Sequence, residues 1–328
     1  MISRRTFVGA STVAAAGAGV ALANVSSASV ITAVDVHPTD YPTVEAVRWM
    51  GAEIERETQG RISFRLYPSG QLGAETDTVN LARFGVLDIA RVYLGAVNNM
   101  FPATQPLALP YIFRDEAHMR GVCDGPVGQS ILRTFERRGL IGLAFYDSGF
   151  RSMYNARHPI HEPGDMHDLK VRVPRADIFI RTLEAMGANP TPIPFGEVFT
   201  GLQTHLIDAA ENNWATYQST RQYEVAQYFS RTDHCAAPEA LLMSKHRFDA
   251  LSAADKELFL AKARESVTIM RGLWDAKQAN ARRTVLDAGV HYNDADRDAF
   301  HRAVEPLRRE YLANEDIADT IRRIEAHA

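Results

Sequence analysis

Cysteine is nearly absent: Cys123 and Cys235 are the only two in 328 residues. Two scattered thiols make no disulfide framework, and no spacing rule brings them within bonding distance, so pairing is not expected. CxxC, HExxH and EF-hand patterns are missing too, which leaves a built-in metal site without support. Gly-x-Ser-x-Gly is absent, and no nucleophile with a neighbouring base is legible. Haem, iron–sulfur and dinucleotide motifs are lacking, so no cofactor is expected. The fragment Gly17-Ala18-Gly19 has no strand before it and no third glycine at the right spacing. Basic residues are not in excess; a net charge of -4 makes nucleic acid an improbable partner. The uncharged run Phe7 to Ala23 falls short of the ~20 residues a membrane-spanning helix needs, and its small residues make it weakly apolar.

That run has a different use. Arg4 and Arg5 precede it, and small-residue cleavage sites follow at Ala21-Leu22-Ala23 or Ser26-Ser27-Ala28. Basic residues, an apolar run and a small-residue site in that order read as an export signal over residues 1–28. Ser3-Arg4-Arg5-Thr6-Phe7-Val8 resembles the twin-arginine version, a receptor-read address; an ordinary secretion signal is the alternative. Both place the mature protein outside the cytoplasm, in the periplasm. Twin-arginine export often serves cofactor-loaded redox enzymes, so an exported enzyme acting on sugar acids is the reading of another class.

The remaining chain, 46% hydrophobic and 23% charged over its whole length, can bury full cores in two lobes or one large domain. Val30 to Val36 reads as a buried first strand, and Thr43 to Thr58 as a helix carrying Val44, Val47, Met50 and Ile54 at helical spacing. Arg61 to Tyr67 alternates as a strand, with Pro68-Ser69-Gly70 turning out of it. Strand, helix, strand predicts an α/β lobe with a largely parallel sheet. Two segments echo each other, Phe84 to Arg91 and Thr204 to Glu211: helix end, apolar pair, Asp, short strand. The echo suggests two similar lobes, each aiming a strand end at a shared cleft. Ser252 caps a stretch running to Gly289; if unbroken at Gly272 it is roughly 38 residues, or ~57 Å, long enough to lie across both lobes.

Candidate chemistry sits at strand ends. In Leu169-Lys170-Val171-Arg172-Val173-Pro174, alternation puts Arg172 opposite the apolar face, and Pro174 ends the strand directly after it. Arg151 likewise follows an apolar stretch, Ile141 to Phe145. Guanidinium groups present planar, bidentate donors to a carboxylate. Ala210 to Tyr217 clusters Glu211, Asn212 and Asn213 with Trp214 and Tyr217. Amides and carboxylates read sugar hydroxyls and aromatic faces pack on pyranose C–H surfaces, while Trp214 is equally well a core anchor.

Together Gly187 to Pro192, Phe195-Gly196-Glu197-Val198-Phe199, Leu202-Gln203-Thr204 and Asp208 to Asn212 resemble the solute-binding proteins of TRAP transporters. Gly70-Gln71-Leu72-Gly73, Leu109 to Phe113 and Leu169 to Val173 fit the same family in the expected order. The resemblance implies an α/β, two-lobed periplasmic binding protein with crossing hinge segments and a long helix spanning both lobes. Lobe I is expected over 29–148 plus 238–277, and lobe II over 149–237 plus 278–328. It implies that Arg172 pairs with the substrate carboxylate, Arg151 is a second carboxylate-side arginine, Asn212 completes the clamp and Phe195 packs on the ligand body. His37, Glu75 and Tyr93 fall where the family contacts the distal part of the substrate. Arg91, Asn213 and Glu239 add the polar density a hydroxylated sugar acid needs, so a hexuronate is the leading ligand. A C4-dicarboxylate, with Arg91 as the opposite cation, is the alternative. The implied protein is a monomer that works with membrane permease subunits. His205 departs from the family, which usually has Gly there.

Overall fold

A computed structural model describes residues 29–327; the export-signal reading of residues 1–28 lies outside them. Eleven strands form two sheets. The first holds β1 (Ser29–Val34), β2 (Ile62–Tyr67), β3 (Ile89–Tyr93), β4 (Leu140–Tyr146) and β10 (Glu239–Ser244), in the order β2-β1-β3-β10-β4. The second holds β5 (Arg151–Asn155), β6 (Lys170–Val173), β7 (Asn189–Pro192), β8 (Ala209–Asn212), β9 (Tyr228–Cys235) and β11 (His291–Asp294), in the order β11-β9-β5-β8-β6-β7.

Apart from β11 the two sheets are copies. In each, three parallel strands come first, and an antiparallel strand then joins them to a fourth. The sequence echo marks equivalent corners of the copies. Asp88 exchanges bonds with Thr32 of β1: Thr32 N donates to Asp88 Oδ2 (2.7 Å) and Asp88 N to Thr32 O (3.2 Å). Asp208 repeats the exchange with Lys170 of β6, at 3.0 and 2.9 Å. An Asp at this corner satisfies a strand N–H that lies beyond the reach of the neighbouring strand and would otherwise lack a partner.

The joining strand of each sheet comes from the other side of the molecule. The chain crosses from the first lobe at Asp147–Phe150 to enter β5, and returns at Ala236–Pro238 to enter β10. Ser148 Oγ donates to Ala237 O, tying the crossings together. Gly149, within the first crossing, stands at φ +61; a Cβ there would meet Gln278 Nε2 at 2.6 Å and Trp274 at 2.9 Å. Only glycine meets both demands.

A single helix, Ala253–Asp287, runs the full 35 residues, about 52 Å. Ser252 accepts from Asp255 N at 3.1 Å and caps its start. Gly272 does not break it, because tertiary packing on both sides outweighs a local loss of about 1 kcal/mol. The helix packs on Pro42–Glu57 of the first lobe and on the short helix Trp214–Ser219 of the second, with Trp274 fully buried between. Gln278 Oε1 accepts Ala215 N at 2.8 Å. The last helix, Glu315–Glu325, returns to pack on Pro102–Ala108 and Pro126–Thr134, so the C-terminal segment touches both lobes. Cys123 and Cys235 are buried and unpaired.

Candidate functional site

The C-terminal ends of β1, β3, β6 and β8 meet where the two sheets face each other. A cavity of ≈ 440 Å³ opens there, continuous in its lining with an inner chamber of ≈ 30 Å³. Arg172, Glu75 and Phe195 line both.

Arg172 reaches the cavity because β6 alternates: Val171 and Val173 enter the core and Arg172 takes the opposite face, 5% exposed. Its Nε donates to Ile193 O at 3.1 Å. Among the described residues no carboxylate lies within ion-pair distance of it, and burial draws its guanidinium below the ordinary value. Both Nη groups are left to the cavity.

Arg151 differs in every respect but burial. Its Nε donates to Glu211 Oε2 (2.5 Å), Nη2 to Glu211 Oε1 (2.7 Å) and to Glu211 O (2.8 Å), and Nη1 to Asn212 Oδ1 (3.0 Å). The guanidinium also lies 4.6 Å over the Tyr93 ring. Burial acts to raise the Glu211 carboxyl, but Arg151 outweighs it and holds the group at about 2. Arg151 therefore arrives at the chamber already neutralised. It fixes Asn212, whose Oδ1 also accepts Asn213 N at 2.9 Å, leaving the Asn212 Nδ2 as the donor for the chamber. Asn213 lines the chamber too, but its side chain is committed: Oδ1 caps Trp214–Ser219 through Thr216 N (2.7 Å), and Nδ2 holds Ser148 O (2.8 Å) at the crossing.

The first-lobe wall is acidic. Glu75, at the start of helix Glu75–Arg83, accepts Tyr93 N at 2.7 Å and Arg91 Nη1 at 3.3 Å through Oε1. Burial pushes its carboxyl up to about 7. Glu239 begins β10, with Oε1 3.6 Å from His37 Nε2 and Oε2 3.0 Å from Arg91 Nη1. His37 stacks on Tyr41 at 3.8 Å and meets the edge of Phe195 from the opposite lobe at 5.4 Å. Burial, helped by Arg91, lowers its imidazole to about 3, so it is neutral and its unpartnered Nδ1 is free to bond. The Tyr93 hydroxyl is likewise buried without a hydrogen-bond partner.

Of the residues expected in the site, Arg91 alone does not line the cavity. It is 1% exposed and lies behind the wall, enclosed by Asp35, Glu75 and Glu239, with Nε 2.9 Å from Asp35 Oδ2. A guanidinium with three carboxylates around it is a structural tie. Trp214 also stays out of the cavity: it stacks on Phe229 at 3.6 Å in the second-lobe core. Sequence reading missed Asp35 and Thr216. Thr216 Oγ1 bonds Tyr41 across the lobes at 2.9 Å. Asp35, the last acidic residue before His37 at a strand end, carried a signal; Thr216 carried none.

Two α/β lobes joined by paired crossings, with a buried, unpaired arginine facing the cleft, define a protein that binds an anionic solute between closing domains. Residues 33–315 match the family described as bacterial extracellular solute-binding protein, family 7 (DctP). A solute-binding protein of Chromohalobacter salexigens is 34% identical over 279 residues, 85% of this chain and 83% of that one. Two solved TRAP periplasmic solute-binding proteins superpose closely. That of Xanthobacter autotrophicus Py2, with bound β-D-galacturonate, is 44% identical with a TM-score of 0.89, covering 91% of this chain and 100% of its own. That of Citrobacter koseri, with bound D-glucuronate, is 35% identical with a TM-score of 0.88, covering 91% and 99%. The chain belongs to the family 7 extracellular solute-binding proteins, the solute-binding subunits of TRAP transporters. It is a transport protein and not an enzyme.

Proposed function

We propose that this chain captures a hexuronate, glucuronate or galacturonate, in the periplasm and delivers it as a monomer to the permease subunits of a TRAP transporter. Residues 1–28 are the export address in this reading. The observation that carries it is Arg172: a buried guanidinium with no counter-ion, aimed into a cleft of small-molecule size. Arg172 takes the uronate carboxylate through both Nη groups, and Asn212 Nδ2 adds a third donor. Phe195 covers the sugar ring, while Glu75, His37, Glu239 and the Tyr93 hydroxyl read its hydroxyls. Lobe I (29–148 plus 238–277) closes on lobe II (149–237 plus 278–328, whose last helix Glu315–Glu325 stays packed on lobe I) about the crossings at 147–150 and 236–238, the long helix bending with them.

Two observations support a sugar acid over a C4-dicarboxylate. Among the described residues no buried, uncompensated cation faces Arg172 from the first lobe, since Arg91 is enclosed by carboxylates and Arg175, the other arginine lining the cavity, is exposed and lies on the Arg172 side. The wall there consists of acceptors and a neutral imidazole, which suit hydroxyl groups. The uronates held by the two solved relatives agree with this reading. Calorimetric titration of the mature protein with D-glucuronate, D-galacturonate, succinate and malate tests it. Micromolar or tighter binding of a uronate and none of the diacids is expected; the reverse order overturns it.

A further inference from the structure

The buried charges of the cleft are unevenly divided between its walls. On the second lobe, Arg151 is neutralised by Glu211 and Arg172 is not neutralised at all. On the first lobe, Asp35, Glu75 and Glu239 surround the single guanidinium of Arg91. The cleft thus has a cationic end and an anionic end. Only Glu75 of the three first-lobe carboxylates borders both the main cavity and the inner chamber. Its Oε1 is occupied by Tyr93 N and Arg91, and among the described residues its Oε2 has no hydrogen-bond partner.

We propose that Glu75, backed by Glu239 and the Asp35–Arg91 pair, is a charge filter that admits sugar acids with one carboxylate and rejects ligands of similar length carrying a second. The excluded class is the aldarates, in which C1 of a uronate is oxidised to a second carboxylate and the chain is open. Because ring loss acts equally on every variant, it is the change in the aldarate-to-uronate ratio that reports the charge. This rests on the uronate reading above. Hydrogen bonding alone discriminates poorly here, because a carboxylate and a hydroxyl both accept bonds from a neutral donor. A fixed anion separates them: it accepts from a hydroxyl and repels a carboxylate. Within a dry cleft that repulsion corresponds to roughly a hundredfold in affinity.

The groups facing Glu75 are Arg91 and the Tyr93 N–H from β3, Asp35 and His37 from the loop after β1, Glu239 from β10, and Arg172 across the cavity, with the exposed Asp77, Arg175 and Glu197 at the cavity mouth. His37 is neutral from pH 6 upward. Burial places the Glu75 carboxyl near 7, so it is largely protonated at pH 6 and anionic at pH 8.5. The filter should therefore relax as pH falls.

Calorimetric titration of the full mature protein with D-glucuronate, D-galacturonate, D-glucarate and galactarate tests this. Glu75→Gln keeps the oxygen that accepts Tyr93 N. It is expected to raise the aldarate-to-uronate affinity ratio at least tenfold at pH 8. Asp77→Asn, an exposed carboxylate at the cavity mouth, should move the ratio less than twofold. In the unmodified protein the ratio should rise severalfold between pH 8.5 and pH 6, and Glu75→Gln should abolish that rise. Uronate binding with a ratio unchanged by Glu75→Gln overturns the filter alone, as does a pH response of equal size in that variant, which would assign it to Glu239. Absence of any uronate binding in the unmodified protein overturns the parent reading instead. If Glu75→Gln does not fold, the pH arm decides: a ratio constant from 8.5 to 6 overturns the filter.

Discussion

A guanidinium removed from water and left without a counter-ion costs several kcal/mol, and Arg172 bears that cost whenever no anion is bound. Arg172→Ala should therefore act in opposite directions on two observables. Uronate affinity should fall by about 10²–10³-fold, the equivalent of roughly two charge-assisted hydrogen bonds. Melting temperature without ligand should rise or hold, and a clear fall in differential scanning calorimetry would contradict this account of the residue. Arg151 should behave in the opposite sense, because its partner is fixed. Glu211→Gln leaves Arg151 buried without its counter-charge and should destabilise by about 3–5 kcal/mol in chemical denaturation. The two carboxyls also set opposite pH slopes. Glu211 is held at about 2, below its unfolded value of 4.5, so its contribution is full above 4.5 and is lost as pH falls toward 2. Glu75 is raised to about 7, so its contribution is full below 4.5 and is lost as pH rises through 7. His37, lowered from 6.5 to about 3, adds stability as pH rises between those values and opposes the Glu75 decline. Stability should therefore stay level from about pH 4.5 to 6.5 and fall above it; Glu75→Gln should remove that fall. Arg172 was legible in the sequence because alternation and Pro174 are local signals. That Arg151 is spoken for, and Arg91 enclosed, was not: their partners, Glu211, Asp35 and Glu239, are distant in sequence and meet them only through the fold.

At the level of elements, the pattern of the chain was informative wherever its period was clear. The helix expected from Thr43 is Pro42–Glu57, and the strand holding Arg172 is as read. The long helix was left open at Gly272, since propensity says nothing about what packs on its two halves. Gly272 is exposed, and a Cβ there would meet nothing within 4 Å. Gly272→Ala should add about 1 kcal/mol to stability with uronate affinity unchanged. Gly149→Ala should do the reverse: a left-handed residue and a collision with Trp274 and Gln278 should lower the melting temperature and disturb closure. His205, where the family usually has Gly, stands at φ +59 just past the helix Val198–Gln203. That is the left-handed helix-end position glycine fills most easily, which explains the family's preference.

For the whole molecule, the echo around Asp88 and Asp208 was the one trace of the duplicated topology in the sequence. The exchange of β5 and β10 between sheets left no trace, because strand order is not written in any local period. The lobes touch at several places beyond the crossings. Asn99 Nδ2 donates to Asp177 Oδ1 (3.1 Å), and Asp177 N returns a bond to Asn99 Oδ1 (3.3 Å). Tyr93 meets the edge of Phe179 at 5.9 Å. These contacts exist only when the lobes are together, so they belong to the closed state. Asn99→Ala should speed ligand release several-fold in stopped-flow measurements while changing the association rate little. Saturating uronate at 100 times Kd should add about 2.7 kcal/mol to stability, read as a rise in melting temperature. Small-angle scattering should show a smaller radius of gyration on binding.

The position of β10 has a consequence for how the chain comes off the ribosome. It lies between β3 and β4, yet follows β9 in sequence. When residue 200 has been made, the first sheet has every strand except β10, one in from its edge, and two raw edges, β3 and β4, face each other across a gap. Such edges invite pairing with any other strand nearby. The second sheet has a shorter-lived gap of the same kind, since β8, which lies between β5 and β6, is made soon after both. Both sheets are thus completed out of sequence order, and the first half of the chain depends on protection until Glu239–Ser244 arrives to close it.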